Sequence, residues 1–269
     1  MGSFSKNRNK VFWDEYAQKI KNDPHGASGS KHFVELENDF IISELKLKKY
    51  NTLLDIGCGN GQRTILFSKY IKKKATGIDY SEKMINEAQK SLLKKSKSLK
   101  QKITFGTQDV FELSNQKYDV IISCRCLINQ PTHKEQVELI KKLHKKLNKN
   151  GSLIIAEISK EGTQRVNQIR KFYDLPPLNP RWHNLHINEK YTFPKIKNFL
   201  KIKKISRAGH YYFISRILNP AISFPKPPDP NSKINDIALK SERINNSKLN
   251  KDALFEEFGA HLLVHFKKI

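Results

Sequence analysis

The chain has 269 residues, 38% of them hydrophobic, with 50 lysines and arginines against 26 aspartates and glutamates, a formal charge of +24. This composition suits a soluble protein with a packed core, and no apolar run approaches the roughly 18 residues of a membrane span. Three cysteines, Cys58, Cys124 and Cys126, make neither a disulfide framework nor a zinc-spaced set, so reduced thiols are expected; with no span in sight a cytoplasmic setting is expected, and Glu157 and Glu161, with no Asp-Asn pair behind them, lead to the expectation of no bound metal.

The opening MGSFSKNRNK has no apolar stretch suited to a secretory signal, and Lys6 stands where myristoylation wants Ser or Thr. KVFWDEYAQKI and VELENDFIISEL read as amphipathic helices separated by the breaker NDPHGASGS, which makes residues 1–45 a helical cap. Five short apolar runs follow: TLLDIG from Thr52, ATGIDY from Ala75, ITFGTQ from Ile103, YDVIISC from Tyr118 and SLIIAEI from Ser152. They read as buried parallel strands. Met84, Ala88 and Leu92 mark an apolar helix face behind Ser81 as N-cap, and Val137, Ile140, Leu143 and Leu147 mark another that Asn150-Gly151 stops. The βαβαβ order predicts an α/β fold with a doubly wound sheet. LKIKKISRA and GAHLLVHFKK are the candidates for a sixth and a seventh strand. A core over 46–209 would then hold a substrate-facing segment at 159–190, an insertion with a loop of low order at NPAISFPKPPDPNS would span 210–257, and the final strand would lie in 258–269.

The charge excess is mostly lysine on helix-like stretches such as KSLLKKSKSLKQK. Solvated helix faces explain it more simply than a nucleic acid partner does, and clustering on one face is what separates the two readings.

DIGCGNG, residues 55–61, ends the first strand and leads into a helix, so the backbone at Gly57, Gly59 and Gly61 can pass close under a ligand. Asp79 ends the second strand, where a carboxylate can accept two hydrogen bonds from a ribose diol. A dinucleotide fingerprint would require glycine at Gln62, so the reading turns to a nucleoside of another kind. Taken in order, LLDIGCGNG, GIDYSEKMINEA, TQDVFEL and YDVIISC resemble the successive motifs of class I S-adenosylmethionine-dependent methyltransferases over about residues 50–160. That resemblance implies a Rossmann-like sheet of seven strands with the last antiparallel, and S-adenosylmethionine as cofactor. It implies that Asp55, Gly57, Cys58, Gly59 and Gly61 face the methionine part and that Asp79 holds the ribose. Tyr80 and Met84 would lie against the adenine, Asp109 would accept from its exocyclic amine, and Val110 would offer a backbone N–H. Ser123 and Cys124 would lie near the sulfonium, and Tyr16, beside Trp13 in the cap, would close over the cofactor. Read without the resemblance, Asp109 is equally a helix cap, Met84 a core residue and Tyr16 a packing aromatic.

The segments SCRCLINQP, RVNQIRKFYDLPPL, WHNLHINE and HYYFISRILNPA look like a small-molecule branch of that family. They imply a small-molecule methyl acceptor, an oxygen first and a nitrogen second. His183 and His186 have the intrinsic pKa of a general base, with structural histidines as the alternative. Arg125, Arg170 and Arg181 can fork onto a carboxylate or phosphate, and Asn129, Tyr173 and Trp182 complete the expected acceptor site. An RNA or tRNA methyltransferase and a non-catalytic cofactor-binding protein are the competing readings. The chain lacks an Asn-Pro-Pro-Tyr after the fourth strand and any appended RNA-binding module, and its oligomeric state is not legible.

Overall fold

Strands buried on both faces need no alternation, and the runs that are apolar at nearly every position build the middle of the sheet. In the computed structural model, which describes residues 6–25, 30–229, 232–248, 255 and 257–269, β1 (Tyr50–Ile56), β2 (Ile71–Asp79), β3 (Ile103–Thr107), β4 (Tyr118–Cys124) and β5 (Leu147–Ile158) are parallel. β6 (Leu200–Ser206) and β7 (His261–Lys268) complete the order β3-β2-β1-β4-β5-β7-β6, with β7 antiparallel to both neighbours. This is the seven-stranded Rossmann-like sheet that the motifs imply.

Helices cover both faces. α1 (Lys6–Ile20) and α2 (Lys31–Lys46) form the N-terminal part, and part of the expected breaker between them, residues 26–29, lies outside the described residues. α2, with α3 (Gln62–Ser68), packs Phe40, Ile41, Leu45, Ile65 and Phe67 onto one face of the sheet. On the other, α6 (His133–Lys145) packs Val137, Leu139, Ile140 and Leu143. α4 (Glu82–Leu93) begins as the sequence predicts, because Ser81 Oγ accepts from the Met84 N–H at 3.2 Å. α5 (Lys97–Lys102), α7 (Lys160–Phe172) and α8 (Glu189–Ile196) complete the flanks. Leu147 is not the last apolar residue of α6, as its spacing suggests, but the first of β5. Asn150, at φ 59°, absorbs the turn inside that strand instead of ending the helix.

Between β6 and β7 the insertion is largely helical. α9 (Gly209–Phe213), a π-helical turn at Ile214–Leu218, α10 (Asn219–Ser223) and α11 (Lys233–Lys248) fill most of it. Tyr211, Tyr212, Ile217, Ala238 and Leu239 pack there on Leu36 and Val166, so these helices have a core of their own. Pro220 stands in the first turn of α10, where its missing N–H costs nothing, and is no breaker. Residues 230–231, 249–254 and 256 of the expected insertion lie outside the described residues. Among the described residues no helix is long and apolar enough to cross a membrane.

Candidate functional site

The carboxyl ends of β1, β2 and β4 open onto a cleft holding about 1150 Å³ of empty space, part of it continuous with solvent. In a doubly wound sheet this is where adjacent connections leave in opposite directions and make room for a ligand. Of the expected cofactor residues, Asp55, Gly57, Cys58, Gly59, Asp79, Tyr80, Met84, Asp109, Val110 and Cys124 line it. Of the expected acceptor residues, Arg125 and Asn129 do. Asn9, Asn60, Arg63 and Gln130 also line it, and no sequence motif marks them.

The three glycines have different work. Gly57, Gly59 and Gly61 all have positive φ, at 64°, 53° and 74°. A Cβ on Gly59 would meet nothing within 4 Å, so this is the glycine whose bare backbone faces open cleft. A Cβ on Gly57 would lie 2.8 Å from that of Cys126, which ties the first turn to the segment after β4. Gly61 does not face the cleft, contrary to expectation: a Cβ there would strike Phe105 at 2.6 Å and Ala88 at 2.7 Å, and its role is close packing at the start of α3.

Asp79 holds the loop in shape. One carboxylate oxygen accepts from the Gly59 N–H and the other from the Ser81 N–H, each at 2.9 Å. Burial pushes its carboxyl up to about 6 against those two hydrogen bonds. Asp55, also buried, accepts from Thr64 Oγ1 at 2.6 Å and is likewise raised by burial to about 6. Asp109 accepts from the Phe111 N–H at 2.8 Å, so it shapes its own turn and also lines the cleft. Tyr80 presents a buried hydroxyl with no hydrogen-bond partner among the described residues.

The segment after β4 hangs on Glu157, a role that no motif in the sequence signals. Its carboxylate accepts from Ser123 Oγ at 2.6 Å and from the N–H groups of Cys126, Leu127 and Ile128 at 3.1, 3.0 and 3.2 Å. Ser123 is therefore fully buried against Glu157 and is not among the residues that line the cleft. Among the described residues no group of three or more His, Cys, Asp or Glu is placed to hold a metal.

The cap is stitched across the opening. Asn60 Nδ2 donates to the carbonyls of Lys21 and Asp23 at 3.0 and 2.8 Å, Ser81 Oγ donates to Asp14 at 2.5 Å, and Asn9 Nδ2 donates to the Asn129 carbonyl at 3.3 Å. Tyr16 packs with Trp13 on the Met84, Ala17 and Ile20 cluster and is a packing aromatic, while Trp13 lines the cleft. The amide nitrogens of Asn9 and Asn129 both donate to carbonyls, which fixes their orientation and leaves both Oδ1 atoms buried without a partner among the described residues.

Beneath the acceptor side, Glu37 of α2 is fully buried between Arg63 and Arg125. It accepts from Arg125 Nε at 2.8 Å, pairs with Arg63, and lies 3.3 Å from His261 Nε2. Arg125 is thus held on Glu37 with one edge at the cleft, a position no sequence spacing reveals.

The other residues expected at the acceptor side and the expected bases stand outside the cleft lining. Arg170 is buried and donates to the carbonyls of Pro176 and Arg216, tying α7 to the helical segment beyond β6. Tyr173 and Arg181 are exposed away from the cleft, and Trp182 lies under the Arg8 guanidinium at 4.4 Å. His186 meets Thr163 Oγ1 at 3.0 Å, outside the cleft, and burial lowers it to about 4. His183 stacks on Phe12 at 4.5 Å with Trp13 at 5.6 Å, so it touches a wall of the cleft without lining it. Burial and then Arg181 lower His183 to about 4, leaving the imidazole neutral.

Strand order and cleft define the Rossmann-like methyltransferase architecture. A family model described as a methyltransferase domain matches residues 47–205, and the chain belongs to that family. An uncharacterised protein of Haemophilus influenzae is 32% identical over 127 residues, 45% of this chain and 48% of that protein. Demethylmenaquinone methyltransferase of Lactobacillus johnsonii is 26% identical over 123 residues, 44% of this chain and 48% of that protein. The matches span about half the length of these curated relatives. The N-methyltransferase NodS of Bradyrhizobium japonicum, solved with S-adenosylhomocysteine, has a TM-score of 0.60 at 14% identity, covering 96% of this chain and 97% of that chain. The [4+2]-cyclase SpnF has a TM-score of 0.63 at 14% identity, covering 100% of this chain and 98% of that chain. Such likenesses show the fold, and a cyclase among them shows that the fold leaves the reaction open.

Proposed function

We propose that this chain is an S-adenosylmethionine-dependent methyltransferase acting on a small-molecule acceptor, with oxygen as the first choice of nucleophile and nitrogen the second. The observation that carries the cofactor reading is Asp79 at the end of β2, bonded to the N–H of Gly59, the motif glycine where a Cβ would meet nothing within 4 Å. The cleft fits the group. Asp79 offers its carboxylate to the ribose, Tyr80, Met84 and Val110 offer an apolar slot for adenine, and Asp55 and Gly57 face the methionine part. When bound, the cofactor supplies a methyl group on a sulfonium, open to in-line displacement.

The protein's contribution is alignment and exclusion of water. Trp13 and the tether from Asn60 close the cap, while Asn129, next to the segment that Glu157 anchors, and Arg125, held by Glu37, form the acceptor side. The orphaned Oδ1 atoms of Asn9 and Asn129 call for a hydrogen-bond donor, which a hydroxyl, an amine or the cofactor's own ammonium provides. NodS is described as an N-methyltransferase, and other solved neighbours as a magnesium protoporphyrin IX methyltransferase and a plantazolicin methyltransferase, which supports a small-molecule acceptor for this chain. Transfer of tritiated methyl from the cofactor to fractionated small-molecule extracts tests the reading, and transfer to RNA alone would refute it.

Cofactor affinity is expected to fall with acidification. Asp79 titrates near 6 in the free protein, so it is ionised and a full acceptor for the diol above that value and protonated below it. Calorimetry should show tighter binding at pH 8 than at pH 5, with the change centred near 6; a flat profile would remove Asp79 from the ribose.

The two histidines should now behave differently. His183→Ala is expected to lower turnover by about tenfold or more by loosening Trp13 or withdrawing a nearby base. His186→Ala is expected to leave turnover near wild type. Steady-state rates at saturating cofactor check both, and equal loss in the two variants would contradict this separation.

A further inference from the structure

Lysines from distant parts of the chain meet at one edge of the sheet. Parallel strands enter at one edge and deliver the cleft at the other, and lysines crowd the entry edge. Lys48 precedes β1, the exposed Lys72, Lys73 and Lys74 open β2, and Lys117 precedes β4. Because β7 is antiparallel, its end reaches this edge too, where Lys267 lies in register with Lys201 of β6. The Nζ atoms of Lys48 and Lys267 both donate to the carbonyl oxygen of Asn150, so ammonium groups from distant parts of the chain share one acceptor. Burial, then the Lys48 and Lys203 ammonium groups, hold Lys267 below the ordinary lysine range, and burial with Lys117 does the same to Lys268. Of the carboxylates near this edge, Asp119 accepts from the N–H groups of Asn51 and Thr52 and the amide of Asn148, and Glu44 pairs with Lys204 and His265. Cations crowded in this way repel one another until an anionic surface neutralises them.

Aliphatic side chains stand among these charges. Leu47, 74% exposed, sits between Lys46 and Lys48 where α2 returns to the entry edge, and Leu93, 68% exposed, sits before Lys94 and Lys95 where α4 returns to it. We propose that this strand-entry edge docks on an anionic phospholipid surface, with the ammonium groups on headgroup phosphates and Leu47 and Leu93 in the interface. Lysine beside exposed aliphatic residues is the pattern of an interfacial membrane contact, whereas single-stranded nucleic acid is gripped by stacked aromatics. The exposed aromatics Phe172, Tyr173, Trp182 and Phe224 all lie in other elements. Docked this way, the protein turns its cleft toward the aqueous side.

Co-sedimentation of the full chain with vesicles of phosphatidylglycerol and phosphatidylcholine, against phosphatidylcholine alone and against tRNA, tests this. Binding to the anionic vesicles only, weakening steeply with added salt, is the expected result. Lys73→Glu with Lys74→Glu should weaken it by about tenfold or more, and Leu47→Asp separately should weaken it too, with circular dichroism unchanged in both. No binding to the anionic vesicles, wild-type binding in both variants, or tighter binding to tRNA than to vesicles would each overturn the proposal.

Discussion

Asp79→Ala is expected to weaken binding of S-adenosylmethionine and S-adenosylhomocysteine by about a hundredfold or more. A charged acceptor is worth about 1.5–3 kcal/mol per hydrogen bond, and a ribose diol makes two. The substitution also strips the Gly59 and Ser81 N–H groups of their acceptor, so the loop under the cofactor loses its tether at the same time. Asp79→Asn, which keeps one acceptor oxygen, should fall between the two. Titration calorimetry at pH 8, above the carboxyl's value near 6, reads the difference directly. Wild-type affinity in the alanine variant would mean that the ligand lies elsewhere.

Glu37→Ala should cost about 3–5 kcal/mol of folding stability, the usual consequence of removing one partner from a buried ion pair. Arg63 and Arg125 both depend on this carboxylate, and His261 adds a third contact. Burial opposes the charge on Glu37, but Arg125 and Arg63 outweigh it and hold the carboxyl far below the usual range. Its folded value is thus depressed, so its stabilising contribution is present above the ordinary carboxylate value and is lost as pH falls through the folded one. In the variant, thermal unfolding at neutral pH should shift down by on the order of 10 °C, and acidification should close the gap to wild type. An unchanged melting temperature would mean that the arginines find other partners.

The parts of the molecule legible in the sequence are those set by local pattern. The strands announce themselves as continuous apolar runs, and the Ser81 cap sits three residues before the N–H it accepts. Asp79 and the glycines are tied to strand ends, so their meeting at the cleft follows from the fold. What was illegible depends on contacts between distant elements. Glu37, Arg63 and His261 come from three elements and Arg125 from the loop after β4, with no shared spacing, and Glu157 is bound to a segment 29 to 34 residues away. Arg170 looked like an anion fork because its backbone acceptors, the Pro176 and Arg216 carbonyls, leave no trace in side-chain identity. His183 and His186 share an intrinsic pKa, and only packing distinguishes the one that touches Trp13 from the one that meets Thr163.

A crystal structure of the chain with S-adenosylhomocysteine tests the central claim most directly. The account predicts the ribose hydroxyls on the Asp79 carboxylate, the adenine against Tyr80, Met84 and Val110, and the homocysteine sulfur directed toward Cys124, Arg125 and Asn129. Nucleoside density outside this cleft, or a ribose facing away from Asp79, would contradict it.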